Sequence, residues 1–241
     1  MLHWYQGQLC NQQTITLALN DPGLLYGATV FTTLRVYEKN LDHELTQWKD
    51  HCQRLKQSLK AFSWQQPDWK QVREGAEQLS LSFPVLRLTI FPDGREWITG
   101  RELPSDLTQK QDSGITAWLA NTEPFQRSFP SHKTGNYLSS WLALQTAKKK
   151  GAQEAILVDE DGNWLETSTG NLWGWKDGIW WTPSVDQALS GIARSRIISF
   201  LTRHKIPIQE TLWTPEFVNR LEALGYSNCV VQVIPIHTVI T

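Results

Sequence analysis

Leu45, Trp48, Cys52, Leu55, Leu59 and Phe62 recur three or four positions apart with charged and amide residues between them. That spacing predicts an amphipathic helix over about 45–62. A shorter helix is expected over about 68–81. Ahead of both, residues 14–19 alternate as a strand does, Asp21-Pro22-Gly23 reads as a turn, and residues 30–37 alternate again. In that second run Phe31, Thr33, Arg35 and Tyr37 share one face, and Thr32, Leu34 and Val36 share the other. Residues 86–91 and 96–99 flank Pro92-Asp93-Gly94 and predict a hairpin.

Residues 101–114 are polar and carry proline and glycine, which suits a crossing between subdomains. Beyond it the pattern predicts a strand over 115–120, a helix over 137–150, and hairpins around Asp161-Gly162 and Asp177-Gly178. A helix from Gly191, another near 214–223 and a strand over 226–234 complete the chain. Strands and helices mix without the regular βαβ alternation of a doubly wound parallel sheet. The expectation is an α+β fold of two mixed α/β subdomains, residues 1–112 and 113–241, with a binding cleft between them.

Composition narrows the classes. A chain of 241 residues buries a sizeable core, and its net charge of −1 supplies no bulk attraction to nucleic acid or to a membrane surface. No apolar run approaches the length of a membrane span, and Met1-Leu2-His3-Trp4-Tyr5-Gln6 lacks the basic and apolar stretches of a secretory signal. The three cysteines, Cys10, Cys52 and Cys229, are far apart, which argues against a disulfide framework or structural zinc and suits a reducing cytoplasm. Thirteen tryptophans are many. Packing is their first explanation, although Trp173-x-Trp175 and Trp180-Trp181 would also suit a carbohydrate-binding face.

Three separated segments carry chemistry. Lys133 follows the loop Phe129-Pro130-Ser131 and precedes a helix, so a loop can aim its amine into a cleft. Glu166 ends the short strand Trp164-Leu165-Glu166, and Asn171 can brace the loop that follows. Ser190-Gly191-Ile192-Ala193-Arg194 opens a helix whose free N–H groups and positive dipole end suit a phosphate. Taken singly, a solvated lysine and an exposed strand-end acid are the commoner explanations, and an ordinary N-cap serine explains the helix start as well as a phosphate does. Taken together, a lysine that can form a Schiff base, a carboxylate for a pyridine nitrogen and a phosphate turn are the parts of a pyridoxal phosphate site. Arg54, one helical turn from His51, can reach a phosphate with its forked guanidinium. No second histidine stands at metal-ligand spacing from His51, so no metal is expected.

These segments resemble the fold-type IV, class IV aminotransferase-like family of pyridoxal phosphate enzymes, in order and over nearly the whole chain. Tyr26-Gly27-Ala28-Thr29-Val30-Phe31-Thr32-Thr33-Leu34-Arg35 is similar to the family's N-terminal hairpin, and His51-x-x-Arg54-Leu55 to its phosphate-binding helix. Lys133 matches the Schiff-base lysine, Glu166 with Asn171 the ring-nitrogen segment, and Gly191-Ile192-x-Arg194 the phosphate turn. Ser227-Asn228-Cys229 followed by Pro235-Ile236 resembles the closing strand. The resemblance places Arg54, Gly191, Ile192, Ala193 and Cys229 around the phosphate and Tyr137 beside the phenolic oxygen. Ala193 and Cys229 depart from the hydroxyl residues usual there, which leaves a larger share to Arg54.

Within the family, Phe31-Thr32-Thr33-x-Arg35 is most similar to the hairpin of aminodeoxychorismate lyases, with Thr33 where their active-site threonine lies. The lysine-to-Asn136-Tyr137 spacing is one residue shorter than in branched-chain enzymes. This implies conversion of 4-amino-4-deoxychorismate to 4-aminobenzoate and pyruvate, a step towards folate. Lys133 would move the proton, and Thr33 would bond or protonate the departing group. Arg35, Arg87 and Arg95 are candidates for the substrate carboxylates. The competing expectation is an aminotransferase of D- or branched-chain amino acids that uses the same lysine and glutamate. The resemblance further implies a homodimer acting on a small molecule.

Overall fold

The computed structural model describes residues 2–121, 125 and 128–241. Contacts divide the chain into two units, one running to Pro104 and including His132–Asn136, the other made of Ser105–Ser131 and Tyr137–Thr241. No helix among the described residues is long and apolar enough to cross a membrane.

The first unit opens with a hairpin of β1 (His3–Tyr5) and β2 (Gln8–Cys10). The expected strand over 14–19 joins no ladder: its side chains are mostly exposed, Leu19 at 92 %, so no apolar face holds it to a sheet. Asp21 does not end a turn but caps helix α1 (Pro22–Tyr26), accepting from the Gly23 N–H at 2.8 Å with Pro22 in the first helical position. Strand β3 (Val30–Arg35) leads to helices α2 (Trp48–Ala61) and α3 (Trp69–Ser80) and to the hairpin β4 (Val85–Ile90) and β5 (Glu96–Arg101). Helix α2 starts at Trp48, and Leu45 stays outside it and exposed.

The five strands form an antiparallel sheet in the order β2-β1-β5-β4-β3. Val30, Leu34, Leu86, Leu88 and Ile98 pack on Leu55, Leu59, Val72 and Leu79 of the two helices, which is the period-2 face of a sheet meeting the period-3.6 stripe of helices. Phe31, Thr33 and Arg35 lie on the opposite face, as the alternation predicts, and Thr33 sits opposite Arg87. The segment carrying Lys133, expected with the C-terminal half, belongs to this unit because its backbone pairs with the edge strand. The Phe31 N–H donates to Lys133 O at 2.8 Å, Val30 bridges Thr134, and the Gly135 N–H donates to Thr29 O at 2.7 Å.

The second unit begins with α4 (Leu107–Ser113), a short helix inside the stretch expected to be a plain crossing. It continues through β6 (Ile115–Ala120), α5 (Leu138–Lys149), β7 (Glu154–Val158), β8 (Trp164–Thr167), β9 (Asn171–Lys176) and β10 (Ile179–Pro183). Then come α6 (Ile192–Arg203), β11 (Ile208–Thr211), α7 (Pro215–Val218), β12 (Ala223–Asn228) and β13 (Gln232–Ile240). The sheet order is β11-β10-β9-β12-β13-β6-β7-β8, with parallel pairing at β10–β11, β13–β6 and β6–β7. The helix expected near 214–223 stops at Val218, since Ala223 already joins the sheet. The single strand expected over 226–234 is two. The Asn228 side chain accepts from the N–H groups of Val230 and Val231, at 2.9 and 3.0 Å, and turns the chain.

Candidate active site

In the first unit one group of candidates gathers around Phe31. The Lys133 ammonium nitrogen lies 4.8 Å from the centre of that ring and the Arg87 guanidinium carbon 3.7 Å from it. Thr33 and Arg35 share the face, Arg35 leaning over Tyr37 at 4.7 Å. The backbone pairing with β3 aims Lys133, and Gly135 makes that pairing possible. A Cβ at Gly135 would collide with the Thr29 hydroxyl and stand 2.7 Å from Gly27 O. His132 secures the segment from the other side, its Nδ1 bonded to Ser58 Oγ at 3.0 Å and its ring against Phe62 at 4.7 Å.

On the helix-facing side of β3, Thr32 joins the two residues of the His-x-x-Arg motif. Arg54 Nη2 donates to Thr32 Oγ1 at 2.6 Å, and the Thr32 hydroxyl contacts His51 Nδ1 at 2.6 Å. The Thr32 hydroxyl accepts from Arg54 through one lone pair and shares one further hydrogen bond with Nδ1 of a neutral His51. Burial, then the charges of Arg54 and Lys133, hold the imidazole pKa well below its ordinary value. Arg95 stands apart from these residues. Its guanidinium bonds Asp21 at 2.5 Å, Asp93 at 2.6 Å and the Tyr5 hydroxyl at 3.0 Å, and stacks over Phe91.

In the second unit Glu166 and Asn171, at facing ends of β8 and β9, hold the backbone of one residue between them. The Leu189 N–H donates to Glu166 Oε2 at 3.2 Å, and Asn171 Nδ2 donates to Leu189 O at 2.7 Å. Leu189 leads into α6, so the buried carboxylate is tied to the start of that helix. Gly191 is the N-cap and offers no side-chain oxygen to the amides of the first turn, including those of Ile192 and Ala193. A Cβ there would collide with Asn171 Oδ1. Glu166 also borders an open pocket with Leu157, Leu165 and Gln187. The Tyr137 hydroxyl donates to Ser168 O at 3.3 Å, and Asn228 Nδ2 donates to Thr169 O at 3.2 Å, which fixes the turn carrying the half-buried Cys229.

Arg194, part of the phosphate-turn motif, faces inward instead. It is 4 % exposed and bonds Thr182 Oγ1 at 3.2 Å, Pro183 O at 3.0 Å and Glu210, which anchors α6 to β10 and β11. The tryptophans pack on one another: Trp180 meets Trp175 and Trp173 edge-on, and buried Trp173 donates to Ser227 Oγ at 2.8 Å.

Sequence reasoning missed Thr32, Leu189 and Glu154. Thr32 is a hydroxyl in the apolar register of β3, and Glu154 heads the apolar run Ala155-Ile156-Leu157-Val158; both are visible anomalies. Leu189 acts through its backbone N–H and carbonyl, so its side chain carries no signal.

The amino-transferase class IV family model matches residues 29–239, and the chain belongs to that family. It is similar to the branched-chain-amino-acid aminotransferase of Pseudomonas aeruginosa, at 26 % identity over 98 % of this chain and 84 % of that protein. The aminodeoxychorismate lyase of Vibrio harveyi is 21 % identical over 90 % of this chain and 85 % of the lyase. Among solved structures, the pyridoxal phosphate-bound form of a hypothetical aminotransferase from Mycobacterium tuberculosis superposes with a TM-score of 0.85 at 18 % identity, covering 99 % of this chain and 91 % of the other. The mixed α/β fold with two sheets is therefore that of class IV aminotransferases.

Proposed function

We propose that the chain is a pyridoxal phosphate-dependent aminotransferase that moves the amino group of a branched-chain or D-amino acid to a 2-oxo acid. The sequence alone put a lyase first; the higher identity of the branched-chain relative, over more of this chain, puts amino transfer first. The observation that carries the reading is the Leu189 backbone, its N–H held by Glu166 and its carbonyl by Asn171, which ties a buried carboxylate to an uncapped helix start. The two features suit the two ends of this cofactor: a carboxylate favours a protonated ring nitrogen, and first-turn amides bind phosphate. Arg54 supplies the forked charge, while Ile192, Ala193 and the Cys229 turn contribute mainly backbone groups. Tyr137 is assigned to the phenolic oxygen.

The bound cofactor supplies an aldehyde for the substrate amine and a ring that delocalises the electrons left when a proton departs. Lys133 would anchor the aldehyde, and its Nζ would move the proton of the carbon bearing the amino nitrogen. Phe31 presents an apolar wall to the substrate side chain, and Arg87 takes its carboxylate, with Arg35 as the second cation of that face. Arg95, engaged with two aspartates, serves the fold. Two copies are proposed to pair through the outward face of α5, where Leu138, Trp141 and Leu142 are exposed.

The second reading, aminodeoxychorismate lyase, is favoured by Thr33 standing opposite Arg87 on the Phe31 face. The test begins with borohydride reduction of protein mixed with pyridoxal phosphate, followed by peptide mass analysis. Label on the Lys133 peptide in the wild type, and none in Lys133→Ala, is expected; an unlabelled wild type overturns the cofactor. Amino transfer to 2-oxoglutarate, assayed beside release of pyruvate and 4-aminobenzoate, then separates the two readings.

A further inference from the structure

Glu154 is 2 % exposed and has no role in the reading above. Its carboxylate receives the hydroxyls of Ser168 and Thr169 and the Ala155 N–H at 3.0 Å. No cation among the described residues pairs with it, so neutral donors alone offset the cost of its burial. An apolar or amide side chain would fill the head of β7 at less cost, so the placement asks for an account.

The donors supply one. Ser168 and Thr169 form the turn that joins Glu166 to Asn171. Through their carbonyls the same two residues receive the Tyr137 hydroxyl and the Asn228 amide. Asn228 in turn shapes the loop of Cys229 through the N–H groups of Val230 and Val231. One carboxylate thus clamps the two side chains whose backbone the tyrosine, the ring-nitrogen segment and the phosphate loop share.

We propose that Glu154 is a positioning residue that sets the 168–171 turn, and through it the spacing of Glu166, Tyr137 and the Cys229 loop for the cofactor. The inference rests on the pyridoxal phosphate reading. It acts before any cofactor arrives, which makes it testable in the cofactor-free chain. A residue that merely filled space would loosen the whole unit when changed; a positioning residue loosens two turns.

The experiment compares wild type, Glu154→Gln and Ser168→Ala by amide hydrogen exchange without cofactor, and by titration with pyridoxal phosphate followed through tryptophan quenching. Faster exchange confined to 168–171 and 228–231, with affinity weakened on the order of 10-fold in Glu154→Gln and less in Ser168→Ala, is expected. The double variant should be no worse than Glu154→Gln, because both changes cut the same clamp. Unchanged exchange and affinity, or faster exchange spread evenly over the unit, overturns the proposal. Should Glu154→Gln fail to fold, Ser168→Ala with Thr169→Val carries the same comparison. A wild type that never labels Lys133 while Glu154→Gln still loosens the two turns would sink the cofactor reading and leave the clamp standing.

Discussion

His51 is fully buried against Thr32, with the charges of Arg54 and Lys133 opposing a further proton. Its folded pKa lies below the ordinary 6.5 of the unfolded chain, so below that pH the unfolded state binds the extra proton. The contribution of His51 to stability is present above about pH 6.5 and is lost as the pH falls from there towards the folded value. Urea unfolding of the cofactor-free protein between about pH 7 and pH 5 should show this slope. His51→Gln should flatten it by up to roughly 1.4 kcal/mol per pH unit, and parallel slopes would refute the assignment. At Arg87, substitution by leucine should raise the KM for the amino donor about 10–100-fold, the worth of a lost charged hydrogen bond, with a smaller change in kcat. Thr33→Ala should leave amino transfer intact and abolish any release of pyruvate. The motif of His51 and Arg54 was readable from one helical turn of spacing. Thr32 was visible as an anomaly but its pairing with them was not, since nothing in a strand's alternation says which helix will cover it.

At the level of elements, close approach decides what Gly135 is for. Gly135→Ala would drive the Lys133 segment off β3 and should destabilise the protein by about 1–3 kcal/mol. Thr29→Ala should relieve only part of this, because Gly27 O remains in the way; full recovery in thermal melts would contradict the packing described. Arg194→Met would strand Pro183 O and leave Thr182 Oγ1 only its bond to Leu172 O, and should cost about 2–4 kcal/mol. Arg194→Lys should restore little, since an ammonium lacks the fork that reaches all three oxygens. The amphipathic helices α2 and α3 and the β4–β5 hairpin were legible because periodicity and turn chemistry agree there. The β12–β13 turn was not: Asn228-Cys229-Val230-Val231 contains neither glycine nor proline, and a side-chain bond does the turning. Residues 14–19 show the converse, an alternation with no surface to bury it.

For the whole molecule, the mixture of elements announced two sheets with helices, while the parallel joins β13–β6–β7 were beyond reach because partners so distant in sequence leave no local mark. If copies pair through α5, Trp141→Glu with Leu138→Gln should convert a dimer to a monomer in sedimentation. A wild type that sediments at 27.7 kDa would refute the pairing. The first unit is also discontinuous in sequence, and that has a consequence for synthesis. β3 is the outermost strand of its sheet, and its open side is covered by residues 132–136. On a ribosome adding about 5–20 residues per second, Val30-Phe31-Thr32-Thr33-Leu34 waits for seconds as an uncovered, β-branched edge that other nascent chains can join. The loop that presents the lysine therefore also acts as a guard against aggregation. Variants that break its pairing should be found in inclusion bodies before they are found inactive.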